Sequence, residues 1–218
     1  MVSVTIEGLE HELRPSKIVC LLRTYAAHAK ELSNAVPERP RFFLKPPSAL
    51  LGNGGTVRCP PNVRELHHEV ELSVIIGKRG ANIPQGSAME HVKAYTVMLD
   101  MTARDLQDEA KAKGLPWTEA KGYDTFAPVG PEAVLAKKYD WRGKRIWLKV
   151  NGEVRQDGNT SLMLFPLERI ISDISRVMTF EEGDIIMTGT PSGVGRLCPG
   201  DLVEAGVEGI SPMRVDIA

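Results

Sequence analysis

The sequence predicts an α+β domain dominated by mixed sheet. Three observations point there. Short apolar runs, several alternating with period two, recur along the chain between clusters of glycine and proline. Asn151-Gly152 joins the run Ile146–Val150 to Glu153-Val154-Arg155, the pattern of a type I′ hairpin. Apolar residues at helical spacing are confined to a few segments, most clearly Leu167, Ile170, Ile171, Ile174, Val177 and Met178 behind Pro166.

The elements follow in order. Val2–Ile6 alternates and is followed by Gly8, the start of a small hairpin. Ile18–Leu22 reads as a buried strand, and Tyr25–Leu32 as a short helix stopped before Pro37. Prolines and glycines make the next stretch irregular, with Arg41–Lys45 as a strand inside it. An acidic strand runs from about Leu66 to Ile76 and ends at Gly77 and Gly80. Ser87–Val92 is a helical turn, and Ala94–Leu99 an apolar strand leading to Asp100. Thr102 with Asp105 three residues later resembles a capping box, opening a helix that ends near Gly114. Trp117–Pro131 is loop-rich. Ile185–Met187, Leu202–Glu204 and Arg214–Ile217 are further strands.

The chain has 218 residues, 42% hydrophobic and 25% charged, which suits one ordinary globular core. No repeat or linker interrupts it. One domain over 1–218 is therefore expected, with about 1–16 as a small N-terminal strand segment. A formal net charge of −1 and the lack of a basic run exclude a nucleic-acid binder. No signal peptide or membrane span is visible, so the expected location is the cytoplasm. Cys20, Cys59 and Cys198 are far apart and form no CxxC pair, and they read as reduced thiols.

The chemistry centres on His67-His68-Glu69-Val70-Glu71-Leu72. Strand side chains alternate, so Glu69 and Glu71 share one face while Val70, Leu72, Val74 and Ile76 share the other. Two neighbouring carboxylates repel each other unless a cation lies between them, and Asp100 can add a third oxygen. All-oxygen ligation favours Mg²⁺, Mn²⁺ or Ca²⁺ over Zn²⁺. The alternative is a solvated acidic face. Of His67 and His68, at most one can join the cluster, and an outer supporting role suits it better. His28 and Glu31, three apart on a helix, have the spacing of a general-base dyad or of an incidental surface pair. His11 and His91 have no such partner and are expected to be solvated. Arg104 and Gln107, also three apart, suit a substrate carboxylate if their helix faces the cluster. Lys121 and Lys45 can stabilise an enolate or carboxylate. Thr188–Gly195 lacks the ending of a nucleotide-binding loop, which leaves a structural turn or a small-anion turn with Thr190 as donor.

These motifs together resemble the fumarylacetoacetate hydrolase superfamily, most of all its short acylpyruvase and oxaloacetate decarboxylase branch. The resemblance runs from Ile18 to Met213. It is carried by Phe43-Leu44-Lys45-Pro46, His68–Leu72, Leu99–Asp105, Lys121–Thr125, Asn151-Gly152 with Thr160-Ser161, and Gly183-Asp184 through Gly195. It implies a mixed β-roll with a few short helices, Mg²⁺ or Mn²⁺ dependence and a homodimer. It also implies a metal triad of Glu69, Glu71 and Asp100, and a dyad of His28 and Glu31. Substrate contacts are implied at Arg104, Gln107, Lys121 and Thr190, with Lys45 beside them. The family's strand before the dyad helix commonly ends Gly-Arg-Asn-Tyr or Gly-Leu-Asn-Tyr, whereas this chain has Leu22-Arg23-Thr24-Tyr25. Leucine fills space near the site and threonine loses an amide, changes expected to narrow the pocket or reposition His28.

The expected function is metal-dependent carbon–carbon cleavage of small 2-keto or β-diketo acids. The alternatives are a keto–enol tautomerase or double-bond isomerase using the same enolate, and an inactive metal or ligand binder.

Overall fold

The computed structural model describes residues 2–8, 13–31 and 37–218. The side chain of His28 lies outside the described residues, as do Leu32 and His11. In chain order the strands are β1 (Ile18–Leu21), β2 (Phe42–Lys45), β3 (Leu50–Leu51), β4 (Thr56–Val57), β5 (Leu66–His68), β6 (Val70–Ile76), β7 (Val92–Leu99), β8 (Thr102–Ala103), β9 (Ala127–Pro128), β10 (Val134–Leu135), β11 (Arg145–Val150), β12 (Glu153–Asn159), β13 (Ile185–Met187), β14 (Gly195–Leu197), β15 (Leu202–Val207) and β16 (Met213–Ile217). The α-helices are α1 (Ala26–Glu31), α2 (Arg104–Lys113), α3 (Thr118–Lys121) and α4 (Leu167–Ser175).

One sheet has the order β10-β7-β6-β13-β1-β2, in which β1 and β13 are parallel and the remaining pairs antiparallel. A second has the order β12-β11-β15-β16-β4. The two pack face to face, β11 and β15 lying across β6 and β7. Val70, Leu72, Val74 and Ile76 from one face of β6 join Ile146, Leu148, Val203 and Ala205 in the core between them. The opposite face supplies Ile75 to a second cluster with Ile18, Cys20, Ile185 and Met187. β6 is buried on both faces, so Glu71 is placed in the interior, not on a solvated face.

Helix α4 follows Pro166 and buries Leu167, Ile170, Ile171 and Ile174 against the main core. Nine residues make a marginal helix in water. Burying four aliphatic side chains, at about 1.5–3 kcal/mol each, is what holds it. The periodicity overreaches at Val177, which is beyond the helix and 68% exposed. The β11–β12 hairpin forms as expected, with Asn151 and Gly152 both at positive φ (52° and 82°).

Four other expectations change. The acidic strand is not continuous. β5 pairs with β14 and β8, while β6 pairs with β7 and β13, so the chain changes sheet at Glu69. Thr102 does not cap α2. It lies in β8 and its hydroxyl donates to the Asp100 carbonyl (3.0 Å), while Asp105 accepts from the Arg64 backbone N–H (3.0 Å). Lys121 ends the short helix α3, which the loop-rich composition of its segment concealed. His91 is buried, its Nδ1 2.9 Å from the Lys78 carbonyl oxygen.

All three cysteines are free. Cys20 is wholly buried, and burial pushes its thiol well above the usual range. Cys198 is exposed. A thiol reagent applied to the native protein should modify Cys198 first and reach Cys20 only after unfolding. Peptide mapping of the labelled protein checks this, and early modification of Cys20 would contradict the packing.

Candidate active site

The site forms where the chain changes sheet. Glu69 sits between β5 and β6, Glu71 lies one residue into β6, and Asp100 follows β7. The register pairs Val70 with Leu99, and the Asp100 N–H donates to the Glu69 carbonyl (2.8 Å). That pairing brings the three carboxylates together. They are buried, and each offers a ligand oxygen within 4.8 Å of the others.

Cations from three other elements surround them. Lys121 of α3 donates to Glu69 Oε2 (2.9 Å) and Asp100 Oδ2 (2.7 Å). Lys45 of β2 is 2.9 Å from Asp100 Oδ1. Arg104, the first residue of α2, pairs with Glu69 through Nη2 and donates from Nη1 to Gln107 Oε1 (2.5 Å). Among the described residues no ion pair forms to Glu71, which accepts a hydrogen bond from the Gly189 N–H (2.6 Å). Burial, then the charges of Asp100 and Glu69, push its carboxyl well above the usual carboxylate range. Burial pulls Lys121 down, but Asp100 and then Glu69 outweigh it and its ammonium is held above its usual value. Three buried oxygen donors with one carboxylate lacking a counter-charge fit a hard divalent cation.

Above the cluster is a cleft whose lining includes Glu69, Glu71, Asp100, Arg104, Gln107, Lys121 and Thr190, seven of the residues singled out from the sequence. Lys45 does not line it. Its ammonium is turned behind Asp100, toward the carbonyls of Met101 (3.0 Å) and Lys121 (2.5 Å). The helical reading of Arg104 and Gln107 holds, and both are buried on the cleft side. Lys111 continues that face one turn on and also lines the cleft. Helical spacing from Gln107 is a signal that would have found it.

His67 and His68 lie outside the carboxylate cluster. Arg104 Nε donates to His67 Nδ1 (3.4 Å), and burial followed by the Arg104 charge lowers His67 to about 4. His68 is buried, its Nδ1 3.0 Å from Gln156 Oε1, and burial lowers its pKa as well. His28 belongs to α1, though its side chain lies outside the described residues. Its proposed partner Glu31 accepts from the Gly193 N–H (2.9 Å), which ties α1 to the glycine-rich turn.

That turn is built by its own chemistry. Gly189 has φ 95°, and a Cβ there would sit 1.8 Å from Thr24 Oγ1. The Thr24 hydroxyl donates to the Thr188 carbonyl (2.5 Å). Thr24 therefore braces the turn that carries Thr190, while Leu22 lines the cleft together with Phe43 and Trp117. Of the two departures noted in the sequence, only Leu22 faces the cleft space.

The C-terminal family of fumarylacetoacetate (FAA) hydrolase matches residues 17–218. The chain belongs to the fumarylacetoacetate hydrolase family. A mitochondrial oxaloacetate tautomerase of Arabidopsis thaliana is 51% identical over 93% of this chain and 91% of its own length. A mitochondrial oxaloacetate decarboxylase of Dictyostelium discoideum is 48% identical over 92% of this chain and 93% of its own. The structure of a fumarylpyruvate hydrolase from Pseudomonas aeruginosa, in complex with Mn²⁺ and pyruvate, superposes with a TM-score of 0.94. It is 35% identical and covers 100% of this chain and 95% of that one. The α+β architecture expected from the sequence is thus the fumarylacetoacetate hydrolase C-terminal fold.

Proposed function

We propose that this member of the fumarylacetoacetate hydrolase family is a single-domain, divalent-metal-dependent enzyme that cleaves a carbon–carbon bond in small 2-keto acids. The reaction is acylpyruvate hydrolysis, oxaloacetate decarboxylation, or both. The observation that carries this reading is the buried triad Glu69, Glu71 and Asp100 at the base of a cleft also lined by Arg104, Gln107, Lys121 and Thr190. The triad would hold Mg²⁺ or Mn²⁺, which supplies Lewis acidity toward the carboxylate and 2-keto oxygens of the substrate.

The protein's own groups divide the remaining work. Gln107 Oε1 already accepts from Arg104, so its amide nitrogen is left to donate to a substrate carboxylate beside the guanidinium. In hydrolysis, His28 oriented by Glu31 takes a proton from water as its oxygen adds to the distal carbonyl carbon. The bond from that carbon to the pyruvate methylene then breaks, and its electron pair passes into the pyruvate enolate. In decarboxylation the bond to the departing carboxylate breaks into the same enolate, with no water nucleophile. Lys121, held charged between Glu69 and Asp100, stands beside the developing negative charge.

Protein stripped with chelator should produce no pyruvate from acetylpyruvate or oxaloacetate and should recover on addition of Mg²⁺ or Mn²⁺. Persistent activity without metal would sink the reading, and metal-restored activity excludes an inert binder. His28→Ala should suppress acylpyruvate hydrolysis far more than decarboxylation. Equal loss of both would refute the assigned base. The likeness to an oxaloacetate tautomerase supports a second reading, proton transfer through the same enolate. In that case enol absorbance changes without release of pyruvate.

The free thiols support a reducing compartment such as the cytoplasm. No described helix is long and apolar enough to cross a membrane. The homodimer rests on the family resemblance.

A further inference from the structure

Strand β12 is largely exposed, yet Gln156 in its middle is wholly buried. A buried amide must place both its donors and its acceptor. Gln156 Oε1 accepts from the Val70 N–H (3.1 Å) and lies 3.0 Å from His68 Nδ1. Its Nε2 donates to the Pro191 carbonyl (2.9 Å) and to Thr190 Oγ1 (2.8 Å). Two of these partners have no choice of role, since a backbone N–H only donates and a carbonyl only accepts. Flipping the amide would set donor against donor and acceptor against acceptor, so its orientation is determined. His68 is consequently held with its proton on Nδ1.

The consequence falls on Thr190. A hydroxyl ordinarily donates or accepts as its surroundings require. Here the oxygen already accepts from Gln156, and its single proton cannot return to that nitrogen. No acceptor for this proton is found among the described residues, and Thr190 lines the cleft beside Glu69, Glu71, Asp100, Arg104 and Gln107.

We propose that Gln156 is a positioning residue that makes the Thr190 hydroxyl a committed hydrogen-bond donor to a carboxylate or carbonyl oxygen of the ligand in the cleft. This rests on the 2-keto acid reading of the site and adds a residue outside the cleft lining. The link couples Thr190, on the glycine-rich turn, to the β5–β6 junction that carries Glu69. It disfavours ligands that present a donor at that point.

The test is pyruvate affinity of Mn²⁺-loaded protein, measured by calorimetry. Thr190→Val removes the donor and should weaken binding about tenfold, while Thr190→Ser should retain it. Gln156→Glu removes the amide hydrogens, and Thr190 turns to donate to the new carboxyl group, for a similar loss. The Gln156→Glu, Thr190→Val double variant should bind no more weakly than either single variant. Wild-type affinity in Gln156→Glu, or losses that multiply to about a hundredfold, would overturn the role. Should Gln156→Glu fail to fold, nuclear magnetic resonance of the ¹⁵N-labelled protein without ligand decides. One Gln156 side-chain amide proton should move upfield in Thr190→Val and stay in place in Thr190→Ser. An unmoved proton in Thr190→Val overturns the proposal. If wild-type protein binds no pyruvate, the proposed function fails, and the amide protons still judge the Gln156–Thr190 link on its own.

Discussion

Glu71→Gln should give a folded protein that loses tight Mg²⁺ or Mn²⁺ binding and turns over 2-keto acids about 1000-fold more slowly, since Lewis-acid stabilisation is worth several kcal/mol. Its metal-free stability should equal or exceed that of the wild type. The two effects have separate causes. Glu71 is the triad member with no ion pair among the described residues, and a buried carboxylate beside Asp100 and Glu69 is repelled by both. Glutamine matches its shape, and its carbonyl can still accept the Gly189 N–H. Removing the charge therefore relieves repulsion in the empty site while discarding a cation ligand. Metal titration, thermal unfolding and turnover of acetylpyruvate measure the three quantities. Wild-type metal affinity in this variant would remove Glu71 from the triad.

Asp100→Ala should behave in the opposite way toward stability. Its carboxylate neutralises two buried ammonium groups, Lys45 at 2.9 Å and Lys121 at 2.7 Å. Lys121 would keep Glu69, but Lys45 would retain two carbonyls and the Phe126 ring, with no carboxylate partner among the described residues. Breaking a buried pair by deleting one partner costs about 3–5 kcal/mol. For a chain of this size that is a fall in midpoint of roughly 10–15 °C. Activity should vanish as well, so activity alone would not separate this variant from Glu71→Gln. Thermal unfolding of metal-free protein does, because two ligands of one cation should show opposite signs. An Asp100→Ala protein as stable as wild type would show that the lysines find other compensation.

Much of the site was legible because it rests on local period. Two residues apart in an extended chain means one face, which paired Glu69 with Glu71. Three apart on a helix did the same for Arg104 and Gln107, and the Asn151-Gly152 turn declared its hairpin. The failures share a cause. Leu66–Ile76 reads as one strand because alternation persists through Glu69, and only the partners on each side reveal the change of sheet. Thr102 and Asp105 have capping-box spacing, but β8 pairs with β5 and Arg64 claims the aspartate, so tertiary partners displaced the local cap. Gln156 has no periodic signature. Its partners lie 88 residues away at His68 and 34 away at Thr190.

The sequence by itself determined the residue types of the proposed centre: three carboxylates, with an arginine and an amide beside them. Side-chain direction follows from backbone period, which neighbours in the chain impose. Only the tertiary structure decided how charge and protons are shared. It gave Asp100 two lysines and Glu71 no ion pair among the described residues, set Lys45 behind the cluster instead of in the cleft, and left Thr190 with a proton to donate. Those outcomes depend on which strands lie side by side. β6 lies between β7 and β13, and strand order is settled by burial of the whole sheet, not by any local run of residues.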